Sequence, residues 1–159
     1  MPEARPEELN LNELLDVALE LYLNEQTTKV SISKTDEQLI VFSDRSQLLR
    51  VFTNLLENAL QAIPEGKEGR IYVVLTTEGN NALISITDNG QGIAADVAER
   101  IFQPYFTTKS SGTGLGLAMT KKIIEFWQGQ IWFETIEDEG TTFFIRLPIV
   151  ETPGQNKMS

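Results

Sequence analysis

The sequence contains neither cysteine nor histidine. Without cysteine there are no disulfides and no thiolate metal sites. Without histidine, Ser-His-Asp hydrolysis, histidine-ligated zinc and phosphoryl acceptance by a histidine of this chain are all excluded. Basic residues are scarce too: 13 Lys and Arg stand against 23 Asp and Glu, a formal net charge of −10. Phosphate neutralisation needs a basic surface, so no nucleic-acid partner is expected. A polyanionic nucleotide can bind such a chain only where local donors outweigh the global field. No apolar run approaches membrane-spanning length, and the acidic start Met1-Pro-Glu-Ala-Arg-Pro-Glu-Glu has the wrong polarity for a signal peptide, so no direct membrane contact is expected. What is present is 159 residues, 41% of them hydrophobic, which suffices for one globular domain with one core.

Residues 1–9, charged and proline-punctuated, read as a flexible lead-in, residues 10–150 as the domain, and residues 151–159 as a disordered polar tail. Asn10 is placed to cap a helix whose Leu11, Leu14, Leu15, Ala18, Leu19 and Tyr22 share one face. Val30–Ser33 and Leu39–Phe42 read as two short strands joined by the polar turn Lys34–Gln38. Asp44 opens a long helix with Gln47 as its capping-box partner. Leu48, Phe52, Leu55, Leu56, Ala59, Leu60 and Ile63 fall at helical intervals along it, and Pro64 ends it. Arg70–Glu78 and Ala82–Asp88 read as an antiparallel pair across Gly79-Asn-Asn. A short helix over Ala94–Ile101 is expected next, then a second long helix through Leu117, Thr120, Ile124 and Trp127, capped by Gly129. The hairpin Gln130–Glu137 and Thr141–Ile149, turning at Asp138-Glu-Gly, closes the domain.

Three stretches carry chemistry. Ile84–Thr87 alternates as a strand and delivers Asp88 to the glycine turn Asn89-Gly-Gln-Gly. A carboxylate there accepts a hydrogen bond from an amino group such as adenine N6, while glycines let a flat ring approach the backbone. Taken alone, a plain hairpin turn explains these residues as well. On the helix after Asp44, Asn54, Asn58 and Gln61 share a side beside the apolar stripe. Asparagines lower helix propensity, so two of them one turn apart are explained either by a solvated edge or by a hard cation such as Mg²⁺. Gly112, Gly114 and Gly116 feed a helix N-terminus, which offers N–H donors and positive dipole to an anion. This turn is neither a Walker A sequence nor a dinucleotide fingerprint, since no Gly-Lys-Ser/Thr follows it and no strand precedes it.

In their order these segments resemble the N, G1, F and G2 boxes of the histidine kinase catalytic and ATP-binding domain. The superfamily also holds gyrase, the Hsp90 chaperones and MutL. Asn54-Leu-Leu-Glu-Asn58-Ala-Leu-Gln-Ala resembles the N box, Asp88–Ile93 the G1 box, and Gly112-Thr-Gly-Leu-Gly-Leu-Ala the G2 box. Phe102-Gln-Pro-Tyr-Phe-Thr-Thr-Lys109 resembles the F box of nitrogen-regulation-type sensor kinases. The resemblance implies a two-layer α/β sandwich of the Bergerat type, with helices on one face of a mixed, mostly antiparallel sheet. It implies ATP and Mg²⁺ as ligands, with Asp88 on adenine N6 and Asn58 on magnesium, and with Asn54 beside the phosphates or metal. Gly90, Gly92 and Ile93 then line the base pocket, and Thr141 reaches adenine through water. Residues 94–112 become an ATP lid, with Lys109, Gly112, Gly114, Leu115 and Gly116 near the terminal phosphates. Some family members carry lysine or tyrosine where this chain has Gln61 and Ala62, a departure that leaves any phosphate contact from this part of the helix open.

Two uses of ATP are open within the resemblance. Gyrase- and Hsp90-type ATPases activate water with a glutamate one helical turn before the magnesium asparagine. Here that position is Asn54, which has no basic lone pair, and Glu57 lies about 100° around the axis from Asn58. Transfer of the γ-phosphate to an acceptor that brings its own nucleophile suits such a site. The expected acceptor is a histidine on the dimerisation and phosphoacceptor helices of a parent sensor kinase, with a response regulator served indirectly. This chain is then a cytoplasmic catalytic fragment, or the cytoplasmic part of a membrane-anchored kinase. The alternative is a regulatory module resembling the anti-sigma-factor serine kinases.

Overall fold

A computed structural model describes residues 3–25, 27–104 and 116–150. The chain starts with β1 (Pro6–Asn10) and α1 (Leu11–Glu20), followed by β2 (Thr28–Lys34), β3 (Ile40–Asp44) and α2 (Arg45–Ala62). Next come β4 (Gly69–Glu78), β5 (Asn81–Asp88) and the short α3 (Ala95–Ala98). It closes with α4 (Gly116–Phe126), β6 (Gln130–Ile136) and β7 (Gly140–Pro148). The main sheet has the order β2-β4-β5-β7-β6, parallel between β2 and β4 and antiparallel elsewhere. The expected two-layer α/β sandwich with a mixed sheet is what forms.

Alternation decides which face takes the helices. Ile71, Val73 and Leu75 of β4, Ala82, Ile84 and Ile86 of β5, and Phe143, Ile145 and Leu147 of β7 are all buried, with exposed or half-buried residues between them. On this face α2 packs between α1 and α4, burying Leu48, Val51, Phe52, Leu55, Leu56 and Ala59. Both ends of α2 are set locally. Asp44, in extended conformation, accepts the Gln47 N–H at 2.9 Å, the Ser46 hydroxyl at 2.8 Å and the Arg5 N–H at 2.7 Å. These donors, the Arg5 amide first, hold its carboxyl below the usual aspartate range. At the other end Pro64 forces Ile63 into extended backbone, with ψ 118°.

Several expectations are corrected. Pro6–Asn10, which takes in the last four residues of the lead-in expected over 1–9, is a strand paired antiparallel with β3. Leu9 is its one buried apolar side chain, so no alternation announces it. The two strands joined by the polar turn Lys34–Gln38 are present as β2 and β3, and they enter different sheets: β2 joins the main sheet beside β4, and β3 pairs with β1. The crossing between them is held by buried Asn12, which donates to the Thr35 and Glu37 carbonyls and accepts the Leu39 N–H at 2.9 Å. Gln47 does not complete a capping box; its Oε1 accepts the Trp127 indole N–H at 2.8 Å, tying α2 to the end of α4. At that end the left-handed residue is Gln128 (φ 68°), while the Gly129 N–H closes the wider turn onto the Ile124 carbonyl. Residues 94–101 form only the single turn α3 and non-helical turns.

Candidate functional site

The site is built at one end of the main sheet, where four inward-facing positions lie in a row: Ile71, Asp88, Thr141 and Thr135, on β4, β5, β7 and β6. Asp88 ends β5 with 6% of its surface exposed. Its carboxylate accepts the Gly90 N–H at 2.8 Å and the Thr141 N–H. Burial pushes this carboxyl above the usual aspartate range, against the pull of the two amides and of the Lys67 charge. A buried acceptor held by backbone donors, with little formal positive charge beside it, is suited to a neutral N–H donor.

The loop after Asp88 is fastened on three sides. Asn89 continues the pairing with β4, accepting the Arg70 N–H at 2.7 Å and donating to the Glu68 carbonyl at 3.1 Å. The Gln91 N–H donates to the Ala62 carbonyl at 3.0 Å, which docks the loop on the end of α2. The Asp138 N–H donates to the Gln91 carbonyl at 2.7 Å, which joins it to the β6–β7 turn. Here the glycines have reasons beyond admitting a ring. A Cβ on Gly90 would stand 2.5 Å from the Ala62 carbonyl oxygen, and Gly92, at φ 71°, would press one into the Ile136 carbonyl. The next donor, the Ile93 N–H, bonds to the Thr135 hydroxyl at 2.8 Å.

The same helix carries the asparagines. Asn54, Asn58 and Ala62 follow at intervals of four, so they run along one side of α2 over about 12 Å. The Ala62 end touches the Asp88 loop. At the other end Asn54 Nδ2 lies 3.5 Å from both the Gly116 carbonyl and the Thr120 hydroxyl at the start of α4. Asn58, half-buried, stands between. Glu57 is committed elsewhere: it accepts the Tyr22 hydroxyl at 3.0 Å, and burial with the Glu57 charge pushes that phenol up to about 12.

The structure thus brings together Asp88, Gly90, Gly92, Ile93 and Thr141 at one end of this side of α2, with Asn58 midway and Asn54 and Gly116 at the other end. Lys109, Gly112, Gly114 and Leu115 lie outside the described residues. Thr135 was missed by the sequence reading; registering the closing hairpin across its turn places it opposite Thr141 and is the signal that finds it. Cavities of about 390 and 340 Å³ lie elsewhere, at the start of α2 and beside Phe126 and Trp127. Neither is lined by Asp88, Asn54 or Asn58, so the site is assigned from side-chain chemistry rather than concavity.

Known proteins resemble this chain in sequence and in fold. Residues 43–151 match the family of histidine kinase-, DNA gyrase B- and HSP90-like ATPases. The chain is 40% identical over 144 residues to sensor histidine kinase ZraS of Escherichia coli (strain K12), covering 89% of this chain and 30% of that protein. It thus spans about 30% of the length of the curated relatives it matches first. The solved catalytic domain of histidine kinase ThkA superposes with a TM-score of 0.80 at 34% identity, over 91% of this chain and 95% of that one. ThkA in complex with the response regulator protein TrrA superposes at 0.75 and 30% identity, over 91% of this chain and 42% of that one.

Proposed function

The chain belongs to the histidine kinase-, DNA gyrase B- and HSP90-like ATPase family, and from that premise we propose that it binds Mg-ATP along α2 and donates the γ-phosphate to a histidine on a separate phosphoacceptor helix pair. The observation that carries this reading is the continuous side of α2 that joins the loop of a buried carboxylate to the start of α4 through two asparagines. Asp88 accepts adenine N6, Gly90, Gly92 and Ile93 supply the wall behind the base, and Thr141 reaches the ring through its hydroxyl. Asn54 and the start of α4 at Gly116 face the phosphates; Lys109, Gly112, Gly114 and Leu115, outside the described residues, are given phosphate roles by the family resemblance alone.

Magnesium fits this donor set. Among the described residues no group of three or more Asp or Glu forms a cage. Mg²⁺ does not need one, since it takes one or two protein oxygens and completes its shell with phosphates and water. The Asn58 amide oxygen would hold it, and when bound the ion neutralises charge on the phosphate oxygens. The chain's own residues orient the nucleotide and fix the adenine. The acceptor supplies an imidazole nitrogen that attacks the γ-phosphorus; the bond to the ADP oxygen breaks, giving phosphohistidine and ADP.

Hydrolysis as the main outcome is disfavoured. Asn54 cannot take a proton from water, and Glu57 is hydrogen-bonded to Tyr22 on the α1 side. The relationship to ZraS and ThkA supports the histidine kinase over the serine kinase reading, and the complex of ThkA with TrrA supports a response regulator as downstream partner. No helix among the described residues is long and apolar enough to cross a membrane, and the ATP requirement favours the cytoplasm. The test is incubation with labelled ATP and a candidate acceptor helix pair. A labelled acceptor that keeps its phosphate in base and loses it in acid supports phosphohistidine; acid-stable, base-labile label points to phosphoserine and defeats the reading.

A further inference from the structure

We infer that Thr135 is a positioning residue that couples nucleotide occupancy at Thr141 to the point where the chain leaves the site toward α3; the inference rests on the nucleotide reading above. Thr135 lies beside Thr141, which is 4% exposed, in the inward-facing row that contains Asp88. Its hydroxyl oxygen is 2.9 Å from Thr141 Oγ1 and 3.2 Å from the Gly140 carbonyl, and it accepts the Ile93 N–H at 2.8 Å. Three groups on two segments therefore converge on one hydroxyl that has a single proton to give.

That proton has two places to go. When Thr135 donates to the Gly140 carbonyl, Thr141 donates back to Thr135 and its own proton is used inside the protein. When Thr135 donates to Thr141, the Thr141 proton is released outward, to a ring nitrogen of a purine or to a water bridging to it. The second arrangement runs head to tail from the Ile93 N–H through both hydroxyls to the ligand, and each bond in such a chain polarises the next. An acceptor at Thr141 therefore selects the second arrangement and strengthens the bond that fixes Ile93. Linkage makes the effect reciprocal: anything that frees Ile93 weakens the ligand. Ile93 immediately precedes the segment expected to cover the nucleotide, so Thr135 transmits base occupancy to the root of that segment without touching the nucleotide.

The experiment measures amide hydrogen exchange at Ile93 with and without saturating ATP, and ATP affinity by calorimetry, for the wild type, Thr135→Val and Thr135→Ser. Valine preserves the branched shape and deletes the hydroxyl, while serine keeps the hydroxyl. Expected are slower Ile93 exchange when the wild type binds ATP, loss of that ATP-dependent slowing in Thr135→Val with affinity weakened by about three- to tenfold, and recovery of both in Thr135→Ser. A purely structural role predicts a constant offset in exchange that ATP does not change. ATP-dependent slowing retained in Thr135→Val overturns the coupling. So does ATP binding by the wild type that leaves Ile93 exchange unchanged, an arm that needs no variant to fold. Absence of ATP binding by the wild type is a different failure, which removes the nucleotide reading itself.

Discussion

At the Asp88 end of the α2 side the backbone is fastened by hydrogen bonds of 2.7–3.0 Å from Gly90, Gln91, Ile93 and Asp138, whereas at the Asn54 end the helix meets α4 through amide hydrogen bonds of 3.5 Å. The first set joins β5, α2, β6 and the β6–β7 turn; the second bridges residues 62 and 66 apart in the chain. A purine is rigid, so a wall built before it arrives spares the ordering cost of binding. Phosphates bring charge and a metal that complete their own surroundings, and a looser junction tolerates that. On the proposed reading, the base end is a preformed template and the phosphate end is completed by its ligand.

The sharpest way to break this comparison is Asp88→Ala. A charge-assisted hydrogen bond worth about 1.5–3 kcal/mol disappears, so ATP and adenosine should both bind about ten- to a hundredfold more weakly by calorimetry. Loss of ATP affinity with adenosine affinity intact would move Asp88 out of the base pocket. Next in size is Gly90→Ala. Its new Cβ stands 2.5 Å from the Ala62 carbonyl oxygen, backbone that cannot swing away. The expected cost is about 1–3 kcal/mol of stability, seen as a lowered denaturation midpoint accompanied by weaker adenosine binding. A stability unchanged within error would mean the loop is not docked on α2.

Acidification acts with opposite sign on Asp88 and on Asp44, the N-cap of α2. The Asp88 carboxyl is raised above the ordinary value of 3.8 by burial, so it protonates earlier than other aspartates as pH falls. In the proposed site nucleotide binding uses the ionised form, so affinity should fall as pH drops through the raised folded pKa, by at most about tenfold per unit. Its contribution to the stability of the free protein runs the other way. A raised folded pKa means that folding takes up a proton, so this contribution is fully present below 3.8 and is lost as pH rises through the folded value. Asp44, lowered by the Arg5 and Gln47 amides, stabilises above the ordinary value and loses that as pH falls. Comparing wild type with Asp88→Asn isolates the Asp88 part; identical pH profiles for both would show that its ionisation plays no role.

How much of this was legible in the sequence differs between the same two regions. The Asp88 turn, the helix with its asparagines and the β4–β5 and β6–β7 hairpins each follow from local patterns that the fold leaves intact. What could not be read was the fastening. Asn12 gives no sign that it will pin a crossing between residues 35 and 39, and Gln47 matches a capping box that Trp127, 80 residues away, overrides. Gly90 and Gly92 read as room for a ring, yet their tightest constraint is protein backbone at Ala62 and Ile136. β1 buries one apolar side chain and so leaves no periodicity to detect. Local rules report an element's own preferences, and nothing in them reports which distant carbonyl will occupy the space beside it.

The smallest expected effect sharpens the comparison most, because it asks whether the loose end is loose in energy as well as in distance. Asn54→Ala deletes an amide whose bonds to Gly116 and Thr120 sit at the limit of hydrogen bonding, and Thr120 keeps its own bond to the Gly116 carbonyl at 2.8 Å. Removal should cost less than about 0.5 kcal/mol of stability, a midpoint change of about 1–2 °C, with adenosine affinity unchanged. The loss should appear in magnesium-dependent ATP affinity and in the rate of transfer to the acceptor, as it should for Asn58→Ala. A variant that loses adenosine affinity in step with ATP would show that the asparagine row transmits to Asp88, and the two ends of α2 would then be one cooperative unit.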